Sequence, residues 1–336
     1  MNVVNVSELS YEKELRGVRF GVERAAISDR LDAQKLRYDA RIVPPGRADG
    51  PLRFHMVAEH MILVLGGEPS LRLGAVEHPL SAGDMAAILP RASLPWQILN
   101  HAERPAHVFV AATRDGRDVI GFPESGKRIY RVRDASAERV VQDVVMRDDR
   151  VVDFWDGEHS DQPLAPSPAA PAARDPHIAH SDDVPWEAFG RTPFRGERKR
   201  LARGVGAERL GYSLYRIQPG QRPFPFHFHH VNEEFFWVRT GYGQLRVRDG
   251  TRDLRPGDAL NCPPGIEGAH GFLDTGDAPL VYFALSTMIE PDILEYPDSD
   301  KSHVMVGAPP GGDPRARSVD LVVRRIDAVE REEGER

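Results

Sequence analysis

The sequence predicts an all-β protein built from two tandem copies of one small domain. Short apolar or alternating runs, such as residues 61–65 and 235–238, are interrupted by Gly, Pro and Asp at close intervals. This pattern is typical of the strands of a β-sandwich or a small barrel. The 336 residues also exceed the roughly 250 to 300 at which a single core stops growing. We therefore expect two domains.

A gapless internal repeat supports the duplication. At a constant offset of 174 positions, Gly67 falls on Gly241, and Gly83 and Asp84 fall on Gly257 and Asp258. Turn residues thus coincide with turn residues, as expected when one fold is encoded twice. The predicted helices are short and peripheral, with residues 137–145 as a candidate.

The boundary between the copies is predicted from composition. Five prolines stand among Ala, Ser and Asp between residues 157 and 177, a composition that favours an extended spacer. We predict an N-terminal barrel over residues 1–158, a Pro- and Ala-rich linker over 159–177 and a C-terminal barrel over 178–336. Residues 328–336 are expected to form a charged tail.

Composition also limits the function. A net charge of −7 argues against binding to nucleic acid or to an anionic membrane. The single cysteine excludes an internal disulfide framework and fits a reducing compartment. Since the chain has neither a secretory leader pattern nor an apolar run of 18 residues, we expect a cytoplasmic protein. The expected partner is a small-molecule substrate, and the expected state is a monomer or a homodimer.

A histidine-rich stretch near residue 230 is the strongest candidate for a functional site. His227 and His229 are two positions apart, so on a strand their side chains point to the same face. Glu234 and His270 would arrive from neighbouring strands. Three imidazoles and one carboxylate suit Fe(II), Mn(II), Ni(II), Co(II) or Zn(II), and they leave coordination positions open for water or substrate.

Two motifs in this stretch resemble those of a known family. Gly220, His227, His229, Glu234 and Gly241 follow the pattern of the first cupin motif, and Gly257, Pro263, Gly265 and His270 follow that of the second. His270 stands further from Gly265 than is usual. The resemblance implies a jelly-roll barrel of six to eight strands with a metal inside it. Because both copies share the strand pattern, the chain resembles a bicupin.

The N-terminal copy does not retain the ligand set. At the offset of 174, the four predicted ligands fall on Arg53, His55, His60 and Trp96. This set has no carboxylate and places a cation where a ligand belongs, so we predict one metal per chain, in the C-terminal barrel. Arg53 could hold an anion, and a rotation of Glu59 towards His55 and His60 is an alternative ligand set.

The residues around the predicted metal suggest further roles. Glu233, Tyr215 and Asp274 are the candidate catalytic acids and bases. Glu233 either points to solvent or competes with Glu234 as the ligand. Alternation places Phe236 on the face of Glu234, either as pocket lining or as barrel core.

Three functions are compatible with these features. Cupins with this ligand set often act as dioxygenases, so the resemblance implies an Fe-dependent dioxygenase acting on a chelating phenol, diketone or hydroxy acid. Mn, Ni, Co and Zn remain open as the metal. The alternatives are a non-redox isomerase, lyase or hydrolase, and a protein that binds a metabolite or a metal without turnover.

Overall fold

The structure, a computed structural model, describes residues 1–133, 140–148 and 150–324. Within these ranges it is dominated by antiparallel β-strands, with two one-turn helices, α1 (Ile27–Arg30) and α2 (Leu201–Gly204). The helices occupy equivalent positions in the two copies, 174 residues apart. The predicted all-β fold with short peripheral helices is confirmed. No helix in the described ranges has the length and apolar character needed to cross a membrane.

The described strands, in chain order, are β1 (Val3–Asn5), β2 (Glu12–Arg16), β3 (Phe20–Ala25), β4 (Leu36–Val43), β5 (Arg47–Ala48), β6 (Phe54–His55), β7 (His60–Gly66), β8 (Ser70–Leu73), β9 (Val76–Pro79), β10 (Asp84–Ile88), β11 (Trp96–Asn100), β12 (Ala106–Thr113), β13 (Arg117–Phe122), β14 (Lys127–Arg133), β15 (Val140–Arg147), β16 (Arg150–Val151), β17 (Ile178–His180), β18 (Glu187–Arg191), β19 (Phe194–Lys199), β20 (Leu210–Ile217), β21 (Phe228–His229), β22 (Glu234–Thr240), β23 (Gly243–Val247), β24 (Gly250–Leu254), β25 (Asp258–Cys262), β26 (His270–Asp274), β27 (Leu280–Thr287), β28 (Asp292–Tyr296), β29 (Lys301–Val306) and β30 (Val319–Arg324). One-turn 3₁₀ segments lie at Val6–Glu8, Ser181–Asp183, Ile266–Gly268 and Pro314–Ala316.

The chain divides into two compact units, which we call the N-terminal and C-terminal barrels. The N-terminal barrel comprises Glu8–Pro185 and Arg200–Leu210. The C-terminal barrel comprises Met1–Ser7, Trp186–Lys199 and Gly211–Arg336. Each barrel therefore contains a short segment from the other half of the sequence. The predicted domain boundaries, at residues 158 and 178, assign the segments Met1–Ser7 and Arg200–Leu210 each to the other barrel.

The described residues of the N-terminal barrel form two sheets. The larger has the order β17-β10-β7-β12-β4-β3-β5-β11-β8-β9, with β2 beside β3, and the smaller has the order β16-β15-β14-β13-β6. Because side chains alternate along each strand, the inward positions of the larger sheet form one continuous apolar core. Its fully buried members include Val43, Ile62, Val64, Leu71, Ile98, Val108 and Val110.

The C-terminal barrel contains three sheets among its described residues. A seven-stranded sheet has the order β1-β25-β22-β27-β20-β19-β18, and the others have the orders β21-β28-β29-β30 and β24-β23-β26. Its core is more aromatic than that of the N-terminal barrel. The buried members include Ile217, Phe236, Val238, Leu245, Leu260, Phe272 and Tyr282.

Each barrel has an edge strand that lies outside the limits predicted for that barrel. In the C-terminal barrel, β1 pairs with β25, so that Val3 lies opposite Leu260. In the N-terminal barrel, β17 pairs with β10, so that Ile178 lies opposite Ala86. The pairing covers strand edges that would otherwise present free N–H and C=O groups.

The linker is fastened to the N-terminal barrel along part of its length. The carbonyl of Ser160 accepts a hydrogen bond from the amide of Val18 at 2.8 Å, and Arg174 forms an ion pair with Asp84 at 2.5 Å. Of the predicted helix at 137–145, residues 140–145 lie instead in strand β15, and residues 137–139 lie outside the described ranges. The predicted tail at 328–336 is also outside them.

Candidate metal centre

Strand pairing brings the three predicted histidine ligands together at one end of the C-terminal barrel. His227 and His270 lie opposite each other and exchange backbone hydrogen bonds of 3.1 and 2.9 Å. His229 follows at the end of β21, on the same face as His227, as the spacing of two predicts. The carbonyl of His229 accepts a hydrogen bond from Gly265 at 2.7 Å. The loop before His270 is thereby held against β21.

Glu234 completes the cluster from the first position of β22. Its Oε2 atom lies 3.3 Å from Nε2 of His229 and 3.3 Å from Nε2 of His270. The ligand atoms of His227, His229 and Glu234 all lie within 4.8 Å of one another. The three imidazoles are buried, and the Glu234 side chain is 18% exposed. The structure thus brings His227, His229 and Glu234 into one cluster that could bind a metal, and His270 lies beside Glu234 at its edge.

Each imidazole is held by a hydrogen bond from its other nitrogen. Nδ1 of His227 lies 2.9 Å from the carbonyl oxygen of Pro225, and Nδ1 of His270 lies 2.9 Å from that of Gly268. Nδ1 of His229 lies 2.6 Å from Oδ2 of Asp292. Donation of Nδ1–H to these acceptors leaves each Nε2 lone pair directed into the cluster, an arrangement typical of metal-binding histidines.

The 3₁₀ turn at Ile266–Gly268 explains the long spacing before His270. It accommodates the additional residues and ends with the carbonyl that accepts the hydrogen bond from His270. Gly268 is required at this point because a Cβ atom there would lie 1.8 Å from the carbonyl oxygen of Pro263. The longer loop therefore positions His270 and does not remove it from the cluster.

The charges in the cluster fit a bound cation. Burial alone would raise the pKa of Glu234, but the imidazoles of His229, His270 and His227 lower it to about 2. Burial and the neighbouring His270 and His229 lower the pKa of His227 to about 3. Oε2 of Glu234 is buried and makes no hydrogen bond within the described residues. A buried carboxylate oxygen beside three imidazole Nε2 atoms matches the donor set of a divalent transition metal once the imidazoles are neutral.

The pKa of His229 is shifted in the opposite direction, upwards. Burial would lower its pKa, but the carboxylates of Glu234 and Asp292 raise it to about 10. Without a metal, His229 is therefore protonated at neutral pH and neutralises Glu234. A metal ligand must be deprotonated, so metal binding at His229 would require the loss of this proton.

Aromatic rings surround the histidines. The ring centroids of Phe236 and His270 are 5.0 Å apart, and those of Phe272 and His270 are 6.1 Å apart. The ring centroids of Phe224 and Tyr296 lie 6.2 and 6.1 Å from that of His227. Phe236 is both a member of the apolar core and a neighbour of His270, so the two predicted roles for this residue coincide.

Two of the three predicted catalytic residues have structural contacts. Both carboxylate oxygens of Asp274 accept backbone hydrogen bonds of 2.9 Å, from Gly276 and from Leu280, so this side chain stabilises a turn. Glu233 is fully buried and accepts a hydrogen bond from Asn261 at 2.8 Å. It is neither solvent-exposed nor a member of the ligand cluster, so both orientations predicted for it are wrong.

Tyr215, the third predicted catalytic residue, lies in an aromatic group. Its ring stacks on Tyr282 at 5.2 Å and meets Phe224 edge-on at 5.8 Å. Phe224 in turn contacts His227. Tyr215 is therefore separated from the nearest predicted ligand by one ring and contributes to the wall around the cluster.

Asp292 is a residue of the candidate site that the sequence patterns did not identify. Besides His229, it accepts hydrogen bonds from Asn232 at 2.8 Å and from the amide of Val231 at 3.1 Å. The internal repeat contained a signal for it, because Asp118 falls on Asp292 at the same offset of 174. In the N-terminal barrel, Asp118 likewise lies 2.7 Å from Nδ1 of His55.

The equivalent positions in the N-terminal barrel form a different cluster. Arg53 and Trp96 pair as His227 and His270 do, and the guanidinium carbon of Arg53 lies 3.8 Å from the centroid of the Trp96 ring. The rings of His55 and His60 are 4.2 Å apart. Glu59 is fully buried, and its carboxylate accepts backbone hydrogen bonds from Glu208, Arg209 and Leu210. The alternative ligand set with Glu59 is therefore not assembled.

The fold is that of two tandem cupin barrels, and the C-terminal one carries three imidazoles and one carboxylate at its end. The family model described as Cupin domain matches residues 213–286. This match includes all four predicted ligands and the strands that carry them. A comparison with curated protein sequences gave no match.

Solved structures share the fold over most of the chain. A Pseudomonas aeruginosa protein named for its induction by glyoxylate has a TM-score of 0.54 at 14% identity, with 85% of this chain and 88% of that chain covered. Lactobacillus farciminis oxalate decarboxylase, in a formate complex, has a TM-score of 0.52 at 14% identity, with 85% and 86% covered. Bacillus subtilis oxalate decarboxylase has a TM-score of 0.51 at 14% identity, with 84% and 75% covered. At this identity the similarity concerns the fold.

Proposed function

We propose that the protein is a metal-dependent enzyme whose C-terminal barrel binds one divalent transition metal through His227, His229, Glu234 and His270. The observation that carries the proposal is the convergence of the imidazoles of His227, His229 and His270 on the Glu234 carboxylate, whose buried Oε2 atom makes no hydrogen bond within the described residues. Four protein ligands leave coordination positions for a substrate that binds through two oxygens. When bound, the metal would activate O2 or polarise a substrate oxygen.

The residues around the cluster would select and orient the substrate. Phe224, Phe236, Phe272 and Tyr296 contact the histidine rings and would exclude water from an apolar or aromatic substrate body. Asp292 would keep His229 in the tautomer that presents Nε2. These features favour a phenol, a diketone or a hydroxy acid with an apolar substituent.

Dioxygenation is the reaction that we favour. Glu233 and Asp274, the predicted acids and bases, are committed to Asn261 and to a turn, so the chemistry would depend on the metal and O2 more than on side-chain proton transfer. Iron is accordingly the first candidate metal, with Mn, Ni, Co and Zn as the others.

A non-redox reaction is the second candidate, and Tyr296 favours it. Its ring lies 6.1 Å from His227, and burial raises its pKa, so its hydroxyl would remain protonated and could donate a proton to a substrate carbanion. Two proteins with the same fold are named oxalate decarboxylases. Release of CO2 from a small carboxylic acid is therefore the form of this reaction that we would test.

The test begins with metal analysis of protein purified without added ions. O2 consumption is then measured with a panel of catechols and diketones, and CO2 release with small carboxylic acids under anaerobic conditions. We expect turnover to be lost in His229→Ala and retained in His55→Ala, the equivalent substitution in the N-terminal barrel. Turnover that is unchanged without O2 would select the second candidate. A metal content that is negligible and unaffected by His229→Ala would contradict the metal site itself.

A further inference from the structure

The N-terminal barrel contains a cavity of about 190 Å³ at the end that corresponds to the metal centre of the C-terminal barrel. At ~30 Å³ per water molecule, it has room for roughly six waters or a small organic molecule. His55, His60 and Trp96, which occupy the positions of three metal ligands, line it. The cavity is thus the N-terminal counterpart of the metal site.

Arginine side chains dominate the charged lining of this cavity. Six of them contribute to it: Arg16, Arg24, Arg37, Arg41, Arg53 and Arg131. The carboxylates among the lining residues belong to Glu14 and Asp49. Two more carboxylates, those of Asp39 and Asp143, form ion pairs with the arginines. Six guanidinium groups therefore face four carboxylates, and the cavity carries an excess of positive charge in a protein whose net charge is −7.

Strand register places two of these arginines on the inner face of the barrel. His60 on β7, Ala112 on β12 and Arg37 on β4 form one row across three strands. Arg24 on β3 lies opposite Arg41 on β4. Paired residues in a sheet share a face. Arg37 is therefore on the inward face that carries His60, and Arg24 is on the inward face that carries Arg41.

The arginines fall into two groups by their contacts. Arg41 is bound to Asp39 and to Asp49, and Arg53 is bound to Asp49 at 2.7 Å. By contrast, Arg24 and Arg37 lie 4.0 and 3.9 Å from Asp39, beyond hydrogen-bond distance. The first pair holds the cavity wall in place. The second pair retains donors that can contact a ligand.

Several buried donors of the cavity have no protein partner. Nε of Arg24, Nδ1 of His60 and Nε1 of Trp96 make no hydrogen bond within the described ranges. His60 is 8% exposed and Trp96 is 1% exposed. Buried polar atoms are almost always hydrogen-bonded in folded proteins, so an acceptor from outside the chain is expected here.

The remaining lining is apolar and aromatic. Phe20, Phe122, Phe154 and Trp155 contribute to the cavity together with Ile120 and Ile129. Inorganic anions gain nothing from such surfaces, whereas an organic acid can place its carboxylate at the arginines and its carbon skeleton against the rings. The size, charge and lining together select a small carboxylic acid.

We propose that the N-terminal barrel is a binding site for a small organic carboxylate, held by Arg24 and Arg37 with its apolar part against the aromatic lining. The proposal does not depend on the function proposed for the C-terminal barrel. At the offset of 174, Arg37, Asp39 and Arg41 fall on Gly211, Ser213 and Tyr215. Arg24 falls on Arg198, so the guanidinium groups of Arg37 and Arg41, but not that of Arg24, are particular to the copy that lacks the metal ligands.

The experiment measures benzoate binding to the full-length protein by isothermal titration calorimetry. The protein is first treated with a chelator, so that benzoate cannot bind to a metal in the C-terminal barrel. We expect saturable binding with one site per chain. In the double variant Arg24→Gln/Arg37→Gln, the Kd should rise by about tenfold or more, because two charge-assisted contacts are lost.

The matched control is Arg30→Gln/Arg104→Gln. It removes the same charge from exposed positions of the same barrel that are not part of the cavity lining, and its Kd should equal that of the wild type. If the double variant does not fold, Arg37→Gln alone is used, together with the salt dependence of wild-type binding, which should weaken as ionic strength rises.

Three outcomes would overturn the proposal. The first is the absence of saturable benzoate binding to wild-type protein at concentrations up to about 10 mM, a Kd limit that leaves less than about 3 kcal/mol of binding energy. The second is an unchanged Kd in a folded double variant. The third is binding of inorganic phosphate in place of benzoate, which would assign the arginines to a different class of anion.

Discussion

Replacing Asp292 with Asn should weaken metal binding while the fold is kept. Three donors converge on the Asp292 carboxylate: Nδ1–H of His229 at 2.6 Å, Nδ2–H of Asn232 at 2.8 Å and the amide of Val231 at 3.1 Å. An asparagine offers one oxygen and one NH2 group. At least one of the three donors would then face another donor.

The size of the effect follows from the contact that is lost. If the new NH2 group faces His229, it donates to Nδ1 and the imidazole proton moves to Nε2, where it blocks the lone pair that a metal needs. Loss of such a supporting carboxylate typically reduces metal affinity about 10- to 100-fold, or about 1.4 to 2.8 kcal/mol of binding free energy. If it faces Val231 instead, a buried amide is left without an acceptor, which costs about 1 to 3 kcal/mol of stability.

The assay is a chelator-competition titration of Asp292→Asn with Fe(II), Mn(II) and Zn(II), beside thermal unfolding of the same protein. Asp118→Asn is the matched control, because Asp118 holds Nδ1 of His55 in the N-terminal barrel as Asp292 holds Nδ1 of His229, and it also accepts from the amides of Met56 and Val57. It should leave the metal affinity unchanged. A metal affinity of Asp292→Asn within about twofold of the wild type, or an equal loss in Asp118→Asn, would refute this account of His229.

Three further predictions concern the same features. Metal affinity should rise by about tenfold per pH unit between pH 7 and 10, because His229 has a pKa of about 10 without metal and must lose its proton, whereas Glu234, with a pKa of about 2, is already ionised. Calorimetry in buffers of different ionisation enthalpy should find about one proton released per metal at pH 8, and no release would contradict the shift. The triple variant Arg53→His/His60→Glu/Trp96→His should give the N-terminal barrel the ligand set of the C-terminal barrel, since Asp118 already holds His55. Metal analysis should then find a second metal per chain. A content that stays at one would contradict the equivalence of these positions in the two barrels. Leu245→Ala should lower the free energy of unfolding, measured by chemical denaturation, by about 2 to 5 kcal/mol, because Leu245 is fully buried in the C-terminal core. The control Leu15→Ala should change it by less than about 0.5 kcal/mol, because Leu15 is 48% exposed.

The sequence carried enough information to predict the ligand cluster. His227 and His229 share a face because strand periodicity is a local property, and the turn glycines fixed which strands would follow. The offset of 174 then showed that Arg53 and Trp96 replace two of the ligands, and in the structure these two residues are stacked. Strand periodicity and the internal repeat were sufficient to predict the candidate ligands and their replacements in the N-terminal barrel.

Residues whose role depends on distant partners were harder to predict. Asp274 is equally compatible with a catalytic base and with a turn, and only the amides of Gly276 and Leu280 decide between them. Glu233 has no local pattern that would indicate Asn261 as its partner. Residues 140–145 have a composition compatible with a helix, but pairing with β14 makes them a strand. In each case tertiary contacts outweigh local preference.

The placement of β1 has a consequence for the order in which the protein can form. Asn5 hydrogen-bonds to Asp258, 253 positions away, within the C-terminal barrel. During synthesis β1 leaves the ribosome first, yet its partner strand β25 is among the later ones. The N-terminal barrel in turn requires β17 and residues 200–210. Its larger sheet can be complete only after β17 has emerged, at about residue 180, and β1 must wait for β25 at residues 258–262, as is typical of folds with many long-range contacts.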